Sequence, residues 1–321
     1  SLVKMLWYCL FVLSASLPST GFVIPPPGLQ GRSRLPKLCV GRLSRHAYSR
    51  ASTELRAEGQ AQETERISLK RELLEKLTED RDTKDPEIAE LINRLSALNP
   101  TPKGAVSPLW IGHFVQRGQL NSPGGRRVGD KILYTLGRSS FDQFKPGDLT
   151  LQFDRIENII RETAETGTGG DGNTTYTVRV CFTSADEKYP TIKGFFDTEG
   201  KSYVEASDKG GLSSPLSTSR RMVLFERGRL RRNEAECDEA TWDSVFSPES
   251  QKKAKWSFSA WLLKWTFGRM LSIKREESAQ PGEQSYVFGR PAPGSLDILY
   301  MDDDMRITKG NRGSVVVVTR L

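Results

Sequence analysis

Three consecutive aspartates, Asp302, Asp303 and Asp304, lie between two apolar runs near the end of the chain, in "LDILYMDDDMRITKGNRGSVVVV". Carboxylates this close together could serve general acid–base catalysis, hold a metal, or pair with a cation in a turn. Each option has a geometric requirement. Successive side chains on an extended backbone point to opposite faces, so three in a row do not converge on one ion. The chain has only two histidines, His46 and His113, which removes the usual nitrogen ligands and triad partners. A catalytic carboxylate also needs a partner base or acid, and none stands beside the triplet. No metal site, no cofactor and no catalytic residues are therefore expected, and an enzyme using Asp302, Asp303 or Asp304 is only the third alternative.

The pairing option involves Arg306. In "MRIT" the residues alternate, so Arg306 faces away from Met305 and Ile307. If its face is an interior, it needs a carboxylate, and Asp302 or Asp304 across the turn is within reach. A solvated acidic turn beside a surface arginine is the alternative. Other motifs weaken on inspection. Gly167 to Gly172, "GTGGDG", fits a dinucleotide-loop spacing but leads into the strand-like "TTYTVRVCF", so the helix N-terminus that would cradle a phosphate is missing. It reads as a hairpin loop, with a glycosylation sequon at Asn173. Cys181 and Cys237 remain once Cys9 and Cys39 are assigned to a leader, with no C-x-x-C spacing.

The elements that must position these residues are mostly strands. Beyond Pro108, short apolar or alternating runs are broken by Gly, Pro, Asn and Asp, which predicts strands near 110–115, 131–136, 149–153, 158–161, 174–182, 192–196, 221–225, 296–301, 305–308 and 314–319. Hairpin-length connections without alternating helices predict an antiparallel meander, and closure into a barrel removes its exposed edges. Gly310 and Gly313 suit positive φ in the last turn, and Asn311 tolerates it. Before the strands, the spacing predicts helices over 64–80 and 85–98, with Asp85 as N-cap and Pro86 at the first helical position. The fold class expected is mainly β: a lipocalin-like antiparallel β-barrel after a short helical hairpin, with a disordered N-terminal leader.

The terminal stretch closely resembles the signature of the fibrillin family of plastid lipid-associated proteins. Tyr300, Asp302, Asp304, Arg306, Ile307, Gly310, Asn311 and Gly313 fall on its positions, with Lys309 where a basic residue is expected. "LSALNPTPKGAVSP", Leu95 to Pro108, and "ILYT", Ile132 to Thr135, are similar to further family stretches. One departure is that Asp130 stands where the family's first long strand carries Trp, while Trp110 lies upstream. The resemblance implies a non-catalytic protein of thylakoids or plastid lipid bodies (plastoglobules) that binds carotenoids, quinones or acyl lipids. Alternation offers Tyr134, Leu149, Phe153, Tyr176, Val178, Phe182, Phe196 and Phe225 as ligand-lining candidates. A structural coat on lipid bodies, with a filled barrel, is the alternative.

Charge and leader complete the reading. The formal net charge is +7 in 321 residues, with 36% hydrophobic and 27% charged content. Up to Gln62 there are eight Lys or Arg against Glu54 and Glu58, so the remainder carries only +1. That excludes a nucleic-acid-binding body, which needs a clustered surplus of cations. Residues 1–21 read as a signal peptide around the apolar run Met5 to Leu17, and 22–62 as a transit-peptide-like leader. Together they resemble the two-part leader of proteins imported into the complex plastids of algae; a secreted protein with a basic arm is the alternative. Residues 63–100 form the hairpin and 101–321 the barrel. An insertion at 252–270 carries Trp256, Trp261 and Trp265 among lysines, which suits a peripheral contact with a membrane or lipid body, or a plug for the barrel. Oligomeric state is left open.

Overall fold

The computed structural model describes residues 45–78, 82–100, 109–118, 125–140, 142–163, 174–204, 220–247, 272–276, 282–311 and 313–321. The described residues contain helices α1 (Arg45–Thr78), α2 (Pro86–Ala97), α3 (Leu136–Ser139) and α4 (Glu239–Phe246). The strands are β1 (Gly112–Arg117), β2 (Arg126–Val128), β3 (Lys131–Thr135), β4 (Thr150–Glu162), β5 (Thr174–Ser184) and β6 (Lys193–Val204). They continue with β7 (Arg220–Arg232), β8 (Ile273–Glu276), β9 (Gln284–Met301), β10 (Met305–Gly310) and β11 (Val315–Arg320). The chain divides into two compact units, Ser1–Ser68 and Leu69–Leu321, and the second holds the whole sheet.

Neighbouring strands pair in the order β1-β11-β10-β9-β7-β6-β5-β4, and β1 pairs β4 as well, so eight antiparallel strands close on themselves. The expected barrel is present. Closure depends on β1, the shortest route between the two ends. Phe114 faces Arg320 of β11 on one side and Asn158 of β4 on the other. Strands β2 and β3 extend from the first part of β4, and β8 lies along β9.

The structure differs from the sequence reading in the course of three long elements, and the short strands β2 and β8 and helices α3 and α4 were not expected. The first helix begins at Arg45, not Thr64, because the residues between are mostly Ala, Glu, Arg and Gln with no proline to stop them. Two expected strands, at 149–153 and 158–161, are one strand, β4, carried through a register shift between Phe153 and Arg155. The first part of β9 was not expected, since "GRPAPG" reads as a loop. The ladder with β7 shifts register between Phe225 and Arg227, which leaves Pro291 out of the pairing, while Pro293 stays in it opposite Leu224.

The helical hairpin covers the outer face of the last three barrel strands. Leu69, Leu73 and Leu77 of α1 and Ile88, Leu91, Ile92 and Leu95 of α2 are buried in one cluster with Tyr300, Met305, Ile307 and Val317. Asp85 caps α2 as expected, accepting from the Glu87 amide at 3.0 Å. Two further hydrogen bonds fix the hairpin to the sheet. Thr83 Oγ1 donates to the Val315 carbonyl at 3.0 Å, and the Met301 amide donates to Asn99 Oδ1 at 3.1 Å. Leu73 is fully buried at the centre of this cluster. Leu73→Ala is expected to lower the stability of the protein by about 2–5 kcal/mol, the usual result of an uncollapsed cavity, measured by urea unfolding.

Candidate functional site

Alternation along the barrel strands divides their side chains between two faces. Outward go Tyr300, Met305, Ile307 and Val317, under the helices. Inward go Phe114, Ile160, Tyr176, Val223, Ile298, Met301 and Val318, which form a second buried cluster with Trp110. Arg306 lies opposite Val318 in the ladder and so faces inward with it, away from Met305 and Ile307 as expected.

The expected partner of Arg306 is not the observed one. Its guanidinium lies 4.3 Å from the Trp110 ring and 4.5 Å from the Phe114 ring, and it pairs with neither Asp302 nor Asp304. The aspartates sit at the turn, where Asp302 faces the helix side. Lys70 Nζ of α1 donates to Asp302 Oδ2 at 2.7 Å, and Tyr300 Oη donates to the same oxygen at 2.5 Å. The other oxygen accepts from the amides of Asp304 at 3.0 Å and Met305 at 2.8 Å. Asp304 is largely exposed, 3.4 Å from Lys70. Burial works to raise the Asp302 pKa, but the bonds from Lys70, Tyr300 and the two amides together hold it below the ordinary aspartate value. A carboxylate committed to four donors is a structural bolt and is poorly suited to shuttling protons. No group of three or more metal-ligating side chains occurs among the described residues.

Further signature positions are also structural. Of the three turn residues given positive φ or tolerance of it, only Gly313 has it, at +79°. Gly310 stays in β10, and its amide donates to the Ser314 carbonyl at 2.8 Å. Asn311 donates its amide to the Ser295 carbonyl at 3.1 Å, which ties the turn back to β9.

The candidate lining residues separate into two groups. Tyr134 and Phe153 stack with centroids 3.9 Å apart, Phe153 meets Phe196 edge-on at 5.8 Å, and Phe182 lies 6.3 Å from Phe196. All four are buried, as are Leu149 and Leu151, so this part of the barrel is filled by its own aromatics. Near Trp110 the packing is looser. Tyr176 is buried, its hydroxyl donating to Asn158 Oδ1 at 3.0 Å, but Val178, Phe225, Leu296 and Val316 are only half-buried beside it. Trp256, Trp261 and Trp265, the Gly167–Gly172 loop and residues 1–44 of the leader lie outside the described residues, whereas residues 45–62, expected to be disordered, belong to α1.

Sequence reasoning missed two features. Arg221 is buried and packs over Trp110 at 4.7 Å, a position hidden because "RRMVLF" is apolar on both faces. On the outside of the barrel, two buried carboxylates organise a polar belt. Asp197 of β6 accepts from Arg179 of β5 at 2.9 and 3.1 Å and from Arg231 of β7. Glu157 of β4 contacts His113 of β1 at 2.8 Å and Arg155 at 2.5 Å. Cys181 and Cys237 are free thiols, and burial, reinforced by Glu157, pushes Cys181 up to about 11, which leaves it protonated and unreactive at neutral pH. Cross-strand charge pairs such as Arg179–Asp197 and Arg231–Asp197 lock register, and opposite charges on neighbouring strands carry no signal in a linear sequence.

A closed eight-stranded antiparallel barrel with a helical hairpin on one wall and a partly open apolar interior is a lipocalin-like architecture. Residues 210–319 match the PAP_fibrillin family model, which supports the fibrillin family of plastid lipid-associated proteins for this chain. The match covers Phe225 and the terminal signature; Tyr134, Phe153, Tyr176, Phe182 and Phe196 precede it. No curated protein and no solved structure matches the chain.

The bolt at Asp302 has a testable sign. Because its folded-state pKa is depressed, its contribution is present above the unfolded value of about 4 and is lost as pH falls through the folded value. Asp302→Asn is expected to cost about 1–3 kcal/mol at pH 7, the usual worth of hydrogen bonds to a charged group. The difference from the native protein should shrink below about pH 4, followed by thermal unfolding across a pH series.

Proposed function

We propose that this chain is a non-catalytic plastid lipid-associated protein that holds a small apolar metabolite, such as a carotenoid, quinone or acyl lipid, inside its barrel. It works at thylakoid or lipid-body surfaces of an alga with a complex plastid, reached through the two-part leader at residues 1–62. The observation that carries this reading is the half-buried apolar strip Val178, Phe225, Leu296 and Val316 on the inner face of a closed barrel. Apolar surface left open in an interior loses hydrophobic free energy at ~25 cal/mol per Å² until something covers it. A few hundred Å² of such contact supports micromolar binding once ordering costs are subtracted. The filled part, with the Tyr134–Phe153 stack, gives this compartment a floor.

A second reading, a lipid-body coat with no cargo, is favoured by that same aromatic filling and by Trp256, Trp261 and Trp265, which would contact the lipid surface. The two readings separate in one experiment. Purified protein is incubated with a plastid lipid extract, re-isolated by gel filtration, extracted with organic solvent and analysed by mass spectrometry. Carriage predicts close to one equivalent of a bound apolar compound, lost in Val178→Trp, which fills the strip. The coat reading predicts none, together with flotation on liposomes that Val178→Trp leaves unchanged.

A further inference from the structure

The buried cluster under the helical hairpin draws on β9, β10 and β11, and the outer face of β4 to β7 contributes nothing to it. A groove of about 360 Å³ crosses that outer face. Its volume lies at the small end of ligand sites, which run from roughly 300 to 1,000 Å³. Five cations line it, Arg161, Arg179, Lys201, Arg227 and Arg231, against three carboxylates, Asp197, Glu199 and Glu226. The ladder between β6 and β7 shifts register at Glu226, so Glu226 and Arg227 both reach the groove instead of alternating between the two faces of the sheet.

The carboxylates do not cancel the cations. Asp197, 1% exposed, is taken by Arg179 at 2.9 and 3.1 Å and by Arg231. Glu199 is paired with Arg229 at 3.6 Å. Among the described residues the side chains of Arg161, Lys201 and Arg227 have no partner, and Glu226 has none either. Arg231 Nε is buried and lacks an acceptor among the same residues. The Arg179 and Arg231 guanidiniums are also held against the Phe195 ring, 4.3 and 5.0 Å from its centroid, so two of the five cations are fixed before any ligand arrives. Fixing donors in advance lowers the ordering cost of binding.

The chemistry of the lining selects the ligand. Guanidinium forks match the oxygens of a phosphate group. Ile159 is the one apolar side chain lining the groove among the described residues, which leaves no wall for an acyl chain or a carotenoid. Glu226 repels a second anionic group and can accept hydrogen bonds from hydroxyls. We infer that this groove binds a small phosphorylated polyol such as glycerol phosphate, its phosphate among the cations and its hydroxyls at Glu226. The same chemistry is offered by a soluble ester and by the head of a phosphoglycerol lipid. The groove lies outside the barrel, so the inference stands whether or not the interior carries a cargo.

The test is calorimetric titration of the full chain with glycerol 3-phosphate and with inorganic phosphate, beside flotation on vesicles of phosphatidylglycerol and phosphatidylcholine or of phosphatidylcholine alone. The native protein is expected to bind glycerol 3-phosphate at least tenfold more tightly than phosphate, or to float only with the phosphatidylglycerol vesicles. Binding of the free ester without flotation assigns the groove to a soluble ligand, and flotation without it to a lipid head. In either case the double variant Arg161→Gln/Arg227→Gln should weaken binding at least tenfold. The charge-matched Lys188→Gln/Lys193→Gln, which removes two cations outside the groove, should leave it unchanged. Absence of both kinds of binding overturns the inference. An equal loss in the two double variants also overturns it, because binding then follows net charge and not the groove. Inorganic phosphate bound as tightly as its ester overturns the polyol ligand. The comparisons between ligands are made on the native protein, so they decide even where a variant does not fold.

Discussion

The architecture depends on β1 hydrogen-bonding on both of its edges. A sheet of this length, left open, would present long unpaired edges to water and to other chains. The short run from Gly112 to Arg117 prevents this by facing β11 on one side and β4 on the other. The end of the chain seals the same place. Arg320 donates to the carbonyls of Asp303 at 2.7 Å, Ile111 at 3.1 Å and Leu109 at 3.2 Å, so the last strand is tied to the residues that lead into the first. Once the ring is closed there is an inside, and every later statement about the interior follows from it.

The last three strands serve both sides of that wall. Moving one residue along β10 changes the side of the sheet, so Met305 and Ile307 meet the helices while Arg306 enters the barrel. The aspartate triplet stands at the hinge between these duties. Asp302 fixes the turn through two amides and fixes α1 through Lys70, which holds β10 in the register that sends Arg306 inward. Close backbone approach does similar work on the opposite wall. A Cβ on Gly228 would lie 2.3 Å from the Tyr286 ring, so only glycine lets that tyrosine lie flat across β7 inside the barrel.

How much of this was legible in the sequence follows from the range of each interaction. Strand periodicity and the capping of α2 are local, and Asp85, Pro86 and the alternation in "MRIT" state them openly. The terminal signature was recognisable, but its physical role was not. Asp302 was expected to reach along the turn to Arg306, and its partner is instead Lys70, 232 positions away in the chain. The Arg306–Trp110–Arg221 cluster was illegible for the same reason, since it joins three elements that only closure brings together. The first half of β9 was hidden by its prolines, of which Pro291 falls at a register shift and Pro293 stays in the ladder opposite Leu224. In the lining set, alternation placed Tyr134, Phe153, Tyr176, Phe182, Phe196 and Phe225 on one face, but not the division between a stacked floor and an open strip, which depends on ring-to-ring packing.

The central claim is that the ring is closed through β1, and native-state hydrogen exchange tests it most directly. If β1 is bonded on both edges, the amides of His113 through Gln116 exchange as slowly as those of β5 and β6 in the middle of the sheet. Exchange of these amides at the rate of a free sheet edge, with β5 and β6 still protected, would contradict the closed barrel and with it the interior in which Arg306 is placed.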